Sequence, residues 1–123
     1  MRILGPKFIK QFSEKIINIH PSLLPKYPGL NTHEKVIELG DENHGVTVHY
    51  VNENLDGGPI CAQSFLKVTT SDPIELKNKI HQIEYKIYPE VISWITNGDM
   101  TIENNKITYK NKPLENKMIF FQE

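Results

Sequence analysis

Lys15-Ile16-Ile17-Asn18-Ile19-His20 is a short apolar run interrupted by two polar residues. The stretch behind it, Pro21-Ser22-Leu23-Leu24-Pro25-Lys26-Tyr27-Pro28-Gly29, carries three prolines and a glycine. The β-branched residues and the length of the run predict a buried strand. The prolines predict a loop with a rigid path. Asn18 and His20 are two residues apart, so a strand turns both to one face, at its carboxyl end, where open α/β sheets place their ligands. A polar pair so placed either finds hydrogen-bond partners in the core or meets a substrate.

The elements on either side give the fold class. Upstream, Pro6 followed by Phe8, Ile9 and Phe12 predicts a short helix. Downstream, Thr32 is placed to cap a helix through about Leu39, with Val36 and Leu39 inward and Gly40 as its left-handed stop. Gly45 to Val51 alternates Val46, Val48 and Tyr50 against Thr47, His49 and Val51, which is strand periodicity. After the turn 52–58, a second strand is expected at about Ile60 to Val68. Asp72-Pro73-Ile74-Glu75 reads as an N-cap, a proline at the first position and a glutamate at the third. Leu76, Ile80, Ile83, Ile87, Val91 and Ile95 follow at helical spacing, with a kink or break expected at Pro89. Met100-Thr101-Ile102 and Lys106-Ile107-Thr108-Tyr109 predict a terminal hairpin around Glu103-Asn104-Asn105. This order makes an α/β fold: a mixed sheet flanked by helices, a long kinked helix near the carboxyl terminus, and the hairpin.

Composition narrows the function classes. The 123 residues are enough for a single domain spanning residues 1–123. With 38% hydrophobic and 24% charged residues the chain is too apolar for disorder. The net charge of −1 carries no basic surplus, so a nucleic-acid partner is not expected. No apolar run has the length to span a bilayer, so no membrane partner is expected either. A lone cysteine, Cys61, excludes an internal disulfide and suits a reducing, cytoplasmic setting. His33, His44 and His81 show no metal-ligand spacing, and no metal is expected. His49 reads as structural, and Asp56-Gly57-Gly58 is either a plain turn or a presented carboxylate whose glycines allow close backbone approach.

Asn18-Ile19-His20-Pro21-Ser22-Leu23-Leu24-Pro25 resembles the signature of the folate-dependent formyltransferases. Lys26-Tyr27-Pro28-Gly29-Leu30-Asn31-Thr32-His33 is similar to the phosphoribosylglycinamide (glycinamide ribonucleotide) formyltransferase branch, and lacks the arginine-glycine-alanine stretch usual in the methionyl-tRNA branch. His44-Gly45-Val46-Thr47-Val48-His49, Leu55-Asp56-Gly57-Gly58-Pro59 and Glu84-Tyr85-Lys86-Ile87-Tyr88-Pro89 continue the likeness in the same order.

The resemblance implies transfer of a formyl group from N10-formyltetrahydrofolate, the co-substrate, to the amine of glycinamide ribonucleotide, a step of one-carbon metabolism in de novo purine biosynthesis. It implies catalytic roles for three residues. Asn18 would donate to the developing oxyanion. His20 would stabilise the oxyanion as imidazolium and act as the acid. Asp56 would support the imidazolium by its charge and accept the amine proton, directly or through a water. Folate contacts are implied for Met1, Arg2, Ile3, Leu4, Val51 and Asp56, and substrate contacts for Pro21 and Glu84. The family pattern begins with a nucleotide-binding half, and Met1 matches an internal methionine of it. The expectation is therefore a truncated catalytic half. It would work with a separately encoded amino-terminal half, or else be a non-catalytic fragment that binds folate weakly or self-associates. Alone, it is expected to transfer no useful formyl group and not to be a well-behaved monomer.

Overall fold

A computed structural model describes residues 16–52, 57–114 and 118–122. The expected helix at Pro6 to Phe12, the residues Met1 to Leu4, and Asp56 lie outside the described residues.

The described chain runs β1 (Ile17–His20), α1 (Thr32–Glu38), β2 (Asn43–Tyr50), β3 (Ile60–Lys67) and α2 (Pro73–Thr96). It continues through β4 (Met100–Glu103), β5 (Lys106–Tyr109), β6 (Lys112–Pro113) and β7 (Met118–Gln122). One mixed sheet has the order β1-β2-β3-β7 and a smaller one the order β4-β5-β6. In the larger sheet β1 and β3 flank β2 antiparallel, and β7 joins β3 in parallel. The α/β class and the mixed sheet are as the element order predicts.

Pairing sorts the residues into two faces. Ile17 lies opposite Tyr50 and Ile19 opposite Val48, while Asn18 lies opposite His49 and His20 opposite Thr47. Across β2 and β3, Val46 meets Ser64, Val48 meets Ala62, and Thr47 meets Gln63. One face is therefore Ile17, Ile19, Val46, Val48, Tyr50 and Ala62, and helix α2 packs on it. From α2, Leu76, Ile80, Ile83, Ile87, Val91 and Trp94 are buried, each step three or four residues. Burying one such aliphatic side chain is worth about 1.5–3 kcal/mol, so this stripe dominates the core. Trp94 takes the last inward place, with Ile95 only partly buried, and meets Tyr109 and Phe120 edge-on and tilted.

The start of α2 follows its signals. Asp72 accepts from the Ile74 N–H at 3.0 Å, with Pro73 at the first turn. The helix is unbroken across Pro89, so of the two alternatives expected there, a kink or a break, the break does not occur. The ring lies on the exposed side, where the carbonyl deprived of its donor can meet water.

Helix α1 departs from its reading at both ends. Its N-cap is Asn31 in left-handed backbone, with no side-chain cap. Thr32 is buried in the first turn and spends its hydroxyl on the Pro21 carbonyl, 2.6 Å away. Leu39, expected inward, is the C-cap and 66% exposed. Gly40 does end the helix at φ 68. Its N–H reaches Ile37 O and that of Asp41 reaches Val36 O, the double closure of a Schellman stop.

β1 is less enclosed than a buried strand: Ile17, Asn18 and Ile19 are half-buried and only His20 is fully buried. Among the described residues it has one neighbour, β2, at the edge of the sheet. The terminal hairpin forms as β4 and β5, with Asn104 and Asn105 both at positive φ, the backbone of a tight hairpin turn. β7 has no counterpart in the sequence reading. Among the described residues, no helix is long and apolar enough to cross a membrane.

Candidate active site

The second face of the sheet is polar and equally buried. Thr47, His49, Gln63 and His20 are each no more than 5% exposed. The proline-framed loop after β1 lies over it, and the buried polar groups are joined to that loop by directional bonds. The Thr47 hydroxyl donates to Ser22 O at 2.7 Å and accepts from the Leu24 N–H at 3.1 Å. The Gln63 amide donates to Leu24 O at 2.8 Å and to Thr47 Oγ1 at 3.0 Å. With Thr32 holding Pro21, loop residues Pro21, Ser22 and Leu24 are all tied down.

This arrangement sets the state of His20. Its Nε2 lies 2.8 Å from the Tyr27 carbonyl, which can only accept, so Nε2 carries the proton. In the neutral ring Nδ1 is then the acceptor nitrogen. Asn18 is oriented in the same way. His49 Nδ1 lies 2.9 Å from Tyr50 O and must donate, so His49 Nε2 accepts from Asn18 Nδ2 at 3.5 Å. His49 therefore contacts Asn18 and holds its amide end.

Asn18 and His20 share this face, as their spacing requires. Asp56 lies outside the described residues, but the described residues on either side of it are bonded to one another. Tyr50 N–H donates to Pro59 O at 2.9 Å, and Asn52 Nδ2 donates to Gly57 O at 3.5 Å. A Cβ on Gly58 would lie 1.7 Å from Tyr50 O, so glycine is needed there for close backbone approach. Val51 donates its N–H to Ile16 O, bridging the turn to the start of β1. Pro21 joins the site loop through its carbonyl. Glu84 is half-buried on α2 beside His81, and burial raises its carboxyl above the usual range.

Two other histidines form a separate pair. His33 Nδ1 and His44 Nε2 are 3.0 Å apart between α1 and β2, and burial pushes His44 down to about 4. Among the described residues, no three potential metal ligands gather. Cys61 is buried with its thiol pushed up to about 12, so it is no nucleophile. An open cleft of about 510 Å³ borders the loop, with Leu24, Lys26, Asp41 and Gln63 among its lining residues.

The residues that tie the loop, Thr47, Gln63, Tyr27 and Asp41, were not singled out from the sequence. Only a buried glutamine in an apolar strand hints at them.

The formyl transferase family pattern matches residues 1–92. The chain belongs to the formyl transferase family. A phosphoribosylglycinamide formyltransferase from Haemophilus influenzae is 51% identical over 106 residues, covering 85% of this chain and 50% of the relative. The Escherichia coli protein of the same name is 45% identical over the same coverage. Among solved structures, the phosphoribosylglycinamide formyltransferase from Coxiella burnetii superimposes with a TM-score of 0.88 at 48% identity, over 98% of this chain and 57% of that one. A formyltetrahydrofolate deformylase from Pseudomonas syringae matches with a TM-score of 0.78 at 29% identity, over 89% of this chain and 37% of its own. The chain spans about half the length of the curated relatives it matches. The Asn18–His20 strand and its loop fall inside the matched residues.

Proposed function

We propose that the chain supplies the catalytic half of a phosphoribosylglycinamide formyltransferase, moving a formyl group from N10-formyltetrahydrofolate to the amine of glycinamide ribonucleotide. The observation that carries the reading is the preset pair on one sheet face. His20 is buried with Nε2–H held by Tyr27 O, and Asn18 is aimed by His49.

In the reaction the amine nitrogen bonds to the formyl carbon and the carbonyl oxygen becomes an oxyanion. The carbon–N10 bond then breaks, the amine loses a proton and N10 gains one. Asn18 Nδ2, aimed by its contact with His49, donates to the oxyanion. His20, charged at Nδ1, stabilises the same oxyanion and returns its proton to the leaving nitrogen. Asp56 balances the imidazolium and takes the amine proton. Met1, Arg2, Ile3, Leu4 and Val51 line the folate side, and Pro21 and Glu84 serve the ribonucleotide side. The phosphate is held by a complementing amino-terminal half that packs beside β1, which has a single neighbour among the described residues. The single buried cysteine suits a cytoplasmic setting.

The test is a chimera in which this chain replaces the matching half of the Haemophilus influenzae relative. Restored formyl transfer, lost on His20→Ala, supports the reading. A folded chimera that binds both substrates but transfers nothing overturns it. Formyl release that ignores glycinamide ribonucleotide would assign the chain to hydrolysis instead.

A further inference from the structure

The bond that fixes His20 depends on a backbone carbonyl, and that carbonyl sits in an unusual conformation. Tyr27 has φ 51, a left-handed backbone that is uncommon for a tyrosine, and it precedes Pro28. Such a conformation persists where the surroundings over-determine it. Here two ends of the residue are held. The carbonyl takes the His20 Nε2–H at 2.8 Å and lies 3.4 Å from the Ser22 hydroxyl, which donates chiefly to Lys26 O. The phenol donates to Asp41 Oδ2 at 2.6 Å. Asp41 has a fixed place of its own, because its N–H closes the Schellman stop of α1 on Val36 O. A chain of contacts thus runs from the end of α1 through Asp41 and Tyr27 to the ring of His20.

We propose that Asp41 and Tyr27 are positioning residues for His20: the Asp41–Tyr27 hydrogen bond holds the left-handed turn that aims the Tyr27 carbonyl at Nε2 and so keeps Nδ1 as the proton-exchanging nitrogen. The proposal rests on the catalytic role given to His20 above. Asp41 acts as an acceptor and not through its charge. Its ion pair with Lys26 is long, 3.9 Å, with the lysine side chain 63% exposed, so it contributes little. The acceptor holds the Tyr27 hydroxyl above the usual phenol range, as expected for a proton shared with a carboxylate.

The test separates the clasp from the chemistry. In the folded chimera, nitrogen-15 spectra of the His20 ring report which nitrogen carries the proton. The wild type should show the Nε2–H form. Tyr27→Phe and Asp41→Ala should each give a mixture of tautomers, the double variant no more than either single one, and Asp41→Asn, which keeps an acceptor, the wild-type pattern. In the chimera, Tyr27→Phe and Asp41→Ala should lower kcat by about three- to tenfold with KM nearly unchanged, and Asp41→Asn should restore it. An unaltered His20 tautomer in both Tyr27→Phe and Asp41→Ala overturns the proposal. So does a loss in Asp41→Asn equal to that in Asp41→Ala. A changed tautomer with unchanged transfer would leave the clasp standing and remove the role given to His20.

Discussion

Along β2, Val46, Val48 and Tyr50 turn to one face of the sheet and Thr47 and His49 to the other, and all five are buried. The first face meets the α2 stripe of Leu76, Ile80, Ile83 and Ile87, where contact has no direction and any well-shaped apolar group serves. The second meets a loop through bonds whose donors and acceptors must match one by one: Thr47 with Ser22 and Leu24, Gln63 with Leu24, His20 with Tyr27. Equal burial therefore has two meanings. On the helix side it stores stability; on the loop side it stores position, which general acid–base chemistry requires. Substitutions on the two faces should accordingly separate stability from turnover.

The sharpest break in that comparison is at the three residues proposed as catalytic. In the active chimera, His20→Ala is expected to lower turnover by about two to four orders of magnitude, and Asp56→Ala by as much. Asn18→Ala should cost roughly a hundredfold, the scale of one lost oxyanion donor. Steady-state kinetics with melting curves in parallel check this: turnover should collapse while the melting temperature stays within a few degrees. Wild-type rates in any one of the three would remove its role.

Next comes a matched pair from the two faces. Ile80→Ala empties space under the sheet and should cost about 2–5 kcal/mol of stability. Thr47→Val keeps the volume but strips the hydroxyl from the Ser22 carbonyl, the Leu24 N–H and the Gln63 amide, at about 1–3 kcal/mol for each group left unsatisfied. Denaturant titration should find both weakened, whereas only Thr47→Val should slow formyl transfer at temperatures where the protein stays folded. Equal kinetic losses would erase the distinction between the faces.

Acid probes the helix side at a polar contact, His44 against His33. Burial holds His44 at about 4, below its ordinary 6.5, so the unfolded chain binds the proton more readily. Stability is then complete above pH 6.5, falls as the pH drops toward about 4, and levels off below. The full loss is roughly 3 kcal/mol. His33 is lowered in the same sense. Urea midpoints measured between pH 7 and pH 4 should follow this course, and His44→Gln should flatten it.

The smallest effect belongs to neither face. Glu75 and Lys79 pair at 3.6 Å on the exposed side of α2, and Glu75→Gln should change stability by no more than about 0.5 kcal/mol.

What the sequence determined by itself was whatever depends on neighbours along the chain. The Leu76-to-Val91 stripe, the Asp72-Pro73 helix start, the Gly40 stop and the Asn104-Asn105 turn are each specified by residues within one or two turns of one another. The same-face placement of Asn18 and His20 follows from the strand period alone. The Asn18-to-Pro25 signature carried the family.

Tertiary structure decided the rest, because the competing partners are distant in sequence. Thr32 looks like an N-cap until the Pro21 carbonyl, eleven residues away, takes its hydroxyl. The alternation in β2 marks a strand with two unlike faces, and only the folded loop buries the polar one. β7 finds its place beside β3 only once the intervening hairpin has turned the chain back. Pro89 is harmless because packing puts it on the solvent side of α2. The tautomer of His20 is the clearest instance: no local rule speaks to it, and it is set by one carbonyl at the far end of a folded loop.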